Sequence, residues 1–235
     1  MKLSAFLKSF SPHPVQAPFA EKLRSGLAGG LAISLLAWGL YFLAQPPVTL
    51  LLLGSMGASA VLLYAVPHSP LAQPWNLVGG HLFSAICGGL SMAYIGDPFL
   101  AAGVAVGSAI FLMYLLNCLH PPGAATALTL VLGASQFQLI GLLGTASIVV
   151  ANTLIMLILA LLINNAIPRR YYPHMQAPTT APPPSAAVVI TPEHADLEWA
   201  LAQSDSALDI DIEDLSKIYE LAQQRAQTRY DSAIS

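Results

Sequence analysis

Long apolar runs alternate with short polar breaks along most of this chain. The apolar segments fall at 27–44, 48–66, 77–96, 99–118, 121–133 and 138–165. A membrane-spanning helix needs about 20 apolar residues, with a range near 17–25. All but one of the segments reach that length alone or with modest tilt. The exception, 121–133, opens on Pro121-Pro122-Gly123 and predicts a half-helix or a re-entrant element. The pattern as a whole predicts an all-α fold: a polytopic membrane helical bundle with short or broken helices.

The order of the segments suggests two three-helix repeats. Residues 27–34 (LAGGLAIS) line up with 100–107 (LAAGVAVG), 57–62 (GASAVL) with 123–128 (GAATAL), and 77–79 (LVG) with 139–141 (LIG). Three crossings per half would make the second half inverted relative to the first. Transporters use that design to place a solute site at broken helices near the midplane.

Charge sharpens the membrane reading. Charged residues make up 9% of the chain, where a soluble domain carries about 25%. The mean hydropathy is +0.64. Between Arg24 and Arg169 there is no Lys or Arg, and the one acidic residue is Asp97. A surface so poor in charge suits lipid. Lys22 and Arg24 precede the first span, and Arg169 and Arg170 follow the last. The excess of basic residues at these ends puts both termini in the cytoplasm and calls for an even number of crossings: six, or four with two re-entrant segments. The expected organisation is a cytoplasmic N-terminal segment at 1–25, a transmembrane domain at 26–168, a Pro-rich linker at 169–192, and an acidic helical cytoplasmic tail at 193–235.

The candidate chemistry is polar but uncharged. In Asn117-Cys118-Leu119-His120-Pro121-Pro122-Gly123-Ala124-Ala125-Thr126, prolines and small residues open a helix whose unpaired N–H groups could face an anion. His120 and Thr126 add side-chain hydrogen bonds. A tight helix–helix crossing is the alternative use of such small residues. The matching stretch in the first half, Ser55-Met56-Gly57-Ala58-Ser59, sets Ser55 and Ser59 on one face, and the preceding Gln45-Pro46-Pro47 reads as a helix start. His81 lies deep in an apolar run, where histidine marks function, while His68 fits the membrane surface. The candidate solute-binding residues are therefore Ser55, Gly57, Ala58, Ser59, His81, Asn117, His120, Gly123, Ala124 and Thr126. Asp97, before Pro98, reads as a helix cap. Asn164 and Asn165 read as caps for the last span. Cys87 and Cys118 read as packing residues. No metal spacing and no catalytic or nucleotide-binding motif is present, so no metal, cofactor or enzymatic activity is expected.

The run LHPPGAATAL (119–128) resembles the signature of the HPP family of integral membrane proteins, named for the tripeptide seen here as His120-Pro121-Pro122. Residues 54–82 and 161–173 (LLINNAIPRRYYP) are similar to the family's other characteristic stretches, so the likeness covers about 20–173. The resemblance implies a compact helical membrane domain. The family's plastid and cyanobacterial members are associated with nitrite transport. Many relatives carry a pair of nucleotide-sensing CBS domains after the membrane part, and the tail here resembles only their connecting segment. The short N-terminus favours a bacterial inner membrane over a plastid.

Together these readings lead to a transporter or channel for a small monovalent anion, nitrite the first candidate. The expected partners are a small inorganic anion and the lipid bilayer, not nucleic acid, with a homo-oligomer left open. The rival reading is a membrane scaffold or sensor that acts through its acidic C-terminal tail.

Overall fold

The computed structural model describes residue 10, residues 17–44, 52–168 and 170–174, and five tail residues, 215, 216, 219, 220 and 223. Six α-helices and one short 3-10 helix account for the described membrane domain: α1 (Phe19–Ala44), α2 (Ser55–Ala65), the 3-10 turn (Pro70–Ala72), α3 (Pro74–Tyr94), α4 (Pro98–Leu115), α5 (Pro121–Leu132) and α6 (Ala134–Ala166). No strand occurs among the described residues. Three of the helices begin on proline, at Pro74, Pro98 and Pro121. Proline fits the first helical turn because its missing N–H would have no partner there.

Four helices, within Phe19–Leu43, Pro74–Tyr94, Pro98–Leu115 and Ala134–Ala166, are long and apolar enough to cross a membrane. At about 1.5 Å per residue, α3 is ~31 Å long, close to the thickness of a bilayer's hydrocarbon core. By the same measure α2 and α5 cover only ~16 and ~18 Å. The pattern of long, short, long is thus repeated. Among the described residues of the segment predicted at 48–66, the helix runs from Ser55 to Ala65, and residues 45–51, with the proposed Gln45-Pro46-Pro47 start, lie outside the described residues. The last helix is also not one rod. Gly141 has φ 77° and ψ 173°, a backbone state open to glycine, and it parts a short leading piece from the long span that follows.

Cross-helix contacts give the direction of each helix. On α6, Asn152 Oδ1 accepts from Leu53 N, and Asn164 Nδ2 donates to Leu63 O, so α2 runs parallel to α6. Ser55 meets Thr126 while Ser59 meets His120, so α2 and α5 run antiparallel, side by side. They do not meet head-on. Trp75 Nε1 donates to Leu116 O and Asn76 Nδ2 to Leu119 O, which joins the start of α3 to the end of α4. Successive helices therefore alternate in direction. The two short helices are opposed, as inversion of one half relative to the other requires.

Packing follows a narrow stripe on each long helix. Ala28, Ala32, Leu36 and Leu40 are buried on α1; Ala101, Ala105, Ala109 and Met113 on α4; Asn152, Met156, Ala160 and Asn164 on α6. This four-residue spacing keeps one face inward. The opposite faces carry exposed Trp38, Phe42, Phe99, Phe111, Leu143 and Leu162. In water that much exposed apolar surface would be anomalous, but against lipid it is the ordinary exterior. The tightest seam joins α3 to α5. A Cβ on Gly123 would strike the Gly80 carbonyl, and one on Gly88 would lie 2.6 Å from Ala127 O. Small residues let the two backbones touch, which drives helix association where lipid tails remove the hydrophobic term.

One end of the domain is tied by a polar latch. Arg170, only 5% exposed, donates to Glu21 Oε1 through Nε and Nη2, to Ser25 Oγ at 2.8 Å, and to Asn164 Oδ1 at 3.3 Å. Asn164 and Asn165 bond their own helix carbonyls Ala160 O and Leu161 O, as caps would, but each also reaches out of the helix, to Leu63 O and Tyr172 O. Tyr172 OH donates to Ala72 O at 2.8 Å, fixing the 3-10 turn. The start of α1 and the segment after α6 thus emerge at the same end. Arg169 lies outside the described residues. Asp97 caps α4 through Leu100 N at 2.7 Å. The proposed tail helix lies largely outside the described residues. Leu215, Ser216, Tyr219, Glu220 and Gln223 within it are helical, and Gln223 Nε2 donates to Tyr219 OH at 3.3 Å.

Candidate functional site

Where α2, α3 and α5 meet, five polar side chains are closed off together: Ser55 (2% exposed), and Ser59, His81, His120 and Thr126, each at 0%. Helical spacing puts Ser55 and Ser59 on one face of α2. The close α3–α5 seam brings His81 onto Thr126, and the extended backbone at His120, just ahead of α5, turns its ring toward Ser59. Ser55 Oγ lies 2.8 Å from Thr126 Oγ1, which lies 2.7 Å from His81 Nδ1. His81 Nε2 is 2.9 Å from Ser59 Oγ, which is 3.0 Å from His120 Nε2. His120 Nδ1 is 2.9 Å from Leu71 O. The two imidazoles are 5.0 Å apart, near edge-on.

The end of this chain orients all of it. A backbone carbonyl only accepts, so His120 carries its hydrogen on Nδ1, and the neutral ring accepts at Nε2 from the Ser59 hydroxyl. Ser59 then accepts from His81 Nε2–H. His81 Nδ1 accepts from Thr126 O–H, and Thr126 accepts from Ser55 O–H. Every member is bonded without a formal charge, the arrangement a low-dielectric interior favours.

Of the ten candidate residues, Ser55, Ser59, His81, His120 and Thr126 form this cluster. Gly123 lies beside it as a packing contact, and Ala124 is partly buried on the same helix. Gly57 and Ala58 are exposed; Gly57 lies on the far side of α2 from Ser55 and Ser59, and Ala58 flanks the face that carries Ser55 without joining the cluster. Asn117 is also exposed. Its φ of 51° and the bond from Cys118 N to Met113 O make it the residue that ends α4. The bare-amide site expected at the start of α5 is not formed. Pro121 and Pro122 have no N–H, and Gly123 N donates to His120 O at 2.7 Å. Side-chain hydroxyls and imidazoles hold the polar positions instead. Sequence reading missed Leu71, whose carbonyl orients the cluster, and Asn152, which holds the lead-in to α2. A buried asparagine in an apolar run was the available signal for Asn152. Among the described residues no group of three or more His, Cys, Asp or Glu could hold a metal.

A cavity of about 290 Å³ lies toward the other end of α5, lined by Leu52, Leu53, Thr129, Leu132, Gly133, Gln136 and Phe137. Thr129 is about one helical turn from Thr126, and none of the five cluster residues lines the cavity itself.

The fold and the buried site define a multi-pass helical membrane protein. Residues 14–173 match the HPP transmembrane region, and the chain belongs to that family. A Dictyostelium discoideum protein named only as a transmembrane protein is 44% identical over 118 residues, 48% of this chain and 41% of the relative. A second one, named in the same way, is 40% identical over 156 residues, 65% of this chain and 50% of the relative. The chain thus spans about half the length of the curated relatives it matches or less. No solved structure matches it.

Proposed function

We propose that the chain moves a small monovalent anion across the membrane, as a transporter or channel, with nitrite the first candidate. The observation that carries this reading is the cluster of Ser55, Ser59, His81, His120 and Thr126, buried and uncharged where two opposed short helices cross. Hydroxyl and N–H donors can take an anion's oxygens once the contacts between Ser55 and Thr126 and between Ser59 and the rings open. In this reading a solute approaches from the side of the cavity at Thr129. Interrupted helices at the meeting of two halves are the usual setting of a solute site. The reading is non-enzymatic. It places the protein in a bacterial inner membrane, with the end bearing Lys22, Arg24 and Arg170 on the cytoplasmic side.

Flux through proteoliposomes tests it. The purified chain is expected to carry at least one of nitrite, nitrate, formate and chloride faster than protein-free vesicles. Absence of protein-dependent flux for all of them ends the anion reading.

A further inference from the structure

The hydrogen on Ser59 has two acceptors within reach. One is His120 Nε2 at 3.0 Å, and the other is the Ser55 backbone carbonyl at 3.2 Å. Turning that hydroxyl from the first to the second leaves His120 Nε2 facing a serine oxygen lone pair. A proton arriving at Nε2 would then form an N–H that donates to Ser59 Oγ. His120 Nδ1–H would keep its bond to Leu71 O. His81 Nε2–H would keep its bond to Ser59. Both protonation states are therefore fully bonded, and they interconvert by rotation of one hydroxyl.

We propose that the cluster is a proton-binding site, with His120 Nε2 as the acceptor and Ser59 as the rotor, and that a proton travels with each anion the site accepts. The inference rests on the anion reading above. The step balances simply: one N–H bond forms, no protein bond breaks, and the proton returns to water when the anion leaves.

Three observations support it. First, His120 suits the role better than His81. Protonation of His81 at Nδ1 would displace the Thr126 hydrogen onto Ser55 and leave the Ser55 hydrogen to find a new partner. At His120 the Ser55 carbonyl already stands ready. Second, an anion in the cluster has no fixed counter-charge, because no Lys or Arg occurs from 25 to 168. An imidazolium beside it makes the pair neutral, and burying a lone charge is far more costly than burying a pair. Third, the surroundings leave the ring's charge state to the cluster. His81 on α3 is the titratable ring in contact with His120. Ser59 on α2, Thr126 on α5 and the Leu71 carbonyl are neutral. Cys118 in the lead-in packs at Gly79, and Tyr64, further along α2, lies toward Gly29 on α1. Glu21, Arg24 and Arg170 pair with one another at the latch, and Asp97 caps α4.

The test uses the full chain in proteoliposomes with a pH dye inside, a potassium–valinomycin clamp on the potential, and nitrate and chloride as probes. Nitrite and formate follow with protein-free vesicles alongside, because their undissociated acids cross lipid unaided. Anion entry is expected to acidify the interior in step with the amount carried, and an inward proton gradient alone is expected to drive anion uptake. On ¹⁵N-histidine spectra, His120 should hold its hydrogen on Nδ1 without anion and carry both hydrogens when anion is bound at the same pH. Anion flux with no proton movement, or a His120 that stays neutral under saturating anion, overturns the inference and leaves the anion reading standing. No flux of any anion overturns both.

Discussion

Two buried polar clusters sit in this bundle and are made of opposite materials. The latch at the start of α1 joins Glu21, Ser25, Asn164 and Arg170 and holds charges of both signs. The cluster of Ser55, Ser59, His81, His120 and Thr126 between α2, α3 and α5 holds none. The latch lies at an end of the domain, where Glu21 is still 19% exposed and desolvation is partial, so a paired charge can serve as a tie. Deeper in, among apolar helices, the same pair would be expensive. The interior cluster is built instead from groups that can be neutral, donate and accept, and exchange a proton. Charge here serves architecture at the rim. Uncharged polarity, rare in lipid and costly if unpaired, marks the place where chemistry is expected.

The largest effect expected is on the seam that holds the neutral cluster together. Gly80→Leu sets a branched side chain against the His120 Cβ, where even a single added carbon clashes. It should abolish the monodisperse, folded protein, read by size-exclusion chromatography in detergent. Gly123→Leu should do the same, since the Gly80 carbonyl occupies its space. Loss of transport by either variant would therefore report folding and not the site. Next comes the latch. Arg170→Ala leaves Glu21 with only the longer contact to Arg24 and takes the Arg170 donor from Asn164 Oδ1, and it should destabilise the domain by about 1–3 kcal/mol, the range for losing hydrogen bonds to charged groups at a partly solvated site. Thermal unfolding in detergent measures this. Any flux should persist per folded molecule, because Arg170 makes no contact with the five-residue cluster in this structure.

The smallest effect lies in the loop beside the latch. His68 Nδ1 and His174 Nδ1 are 3.2 Å apart, and His174 N donates to Gln73 Oε1 at 2.9 Å. Burial first, then His174 and Arg170, hold His68 below the ordinary histidine value of 6.5, with Glu21 pulling the other way. A depressed histidine lends stability that is present above its unfolded value and lost as the pH falls through the folded one. Acidification below 6.5 should therefore loosen 171–174. Faster hydrogen exchange at the His174 amide would register this, and His68→Phe should remove the pH dependence.

Much of this was legible along the chain because it is local. Pro74, Pro98 and Pro121 start helices, Asp97 caps one, and Ser55 and Ser59 share a face because four residues make slightly more than one turn. The same periodicity puts Gly57 about 200° away from Ser55, so its place outside the cluster was readable too. Asn117 looked polar and suitably placed, but a small residue that tolerates positive φ also ends helices. What could not be read were pairings across the halves: Leu53 with Asn152, Leu63 with Asn164, and Glu21 with Arg170. Separations of about 100 residues or more leave no periodic trace. That Pro121 and Pro122 carry no N–H was readable too; that the remaining amide of Gly123 is taken by His120 O was not.

Thr126→Val tests the central claim most directly. Valine keeps the shape and removes the hydroxyl that joins Ser55 to His81. Unfolding should be affected by about 1–3 kcal/mol, the range for unpairing buried polar groups. Anion flux per folded molecule should fall by about tenfold or more, equivalent to ~1.4 kcal/mol on the barrier. A Thr126→Val protein that folds and carries anions at the unaltered rate would contradict the account, because the solute would then be passing elsewhere.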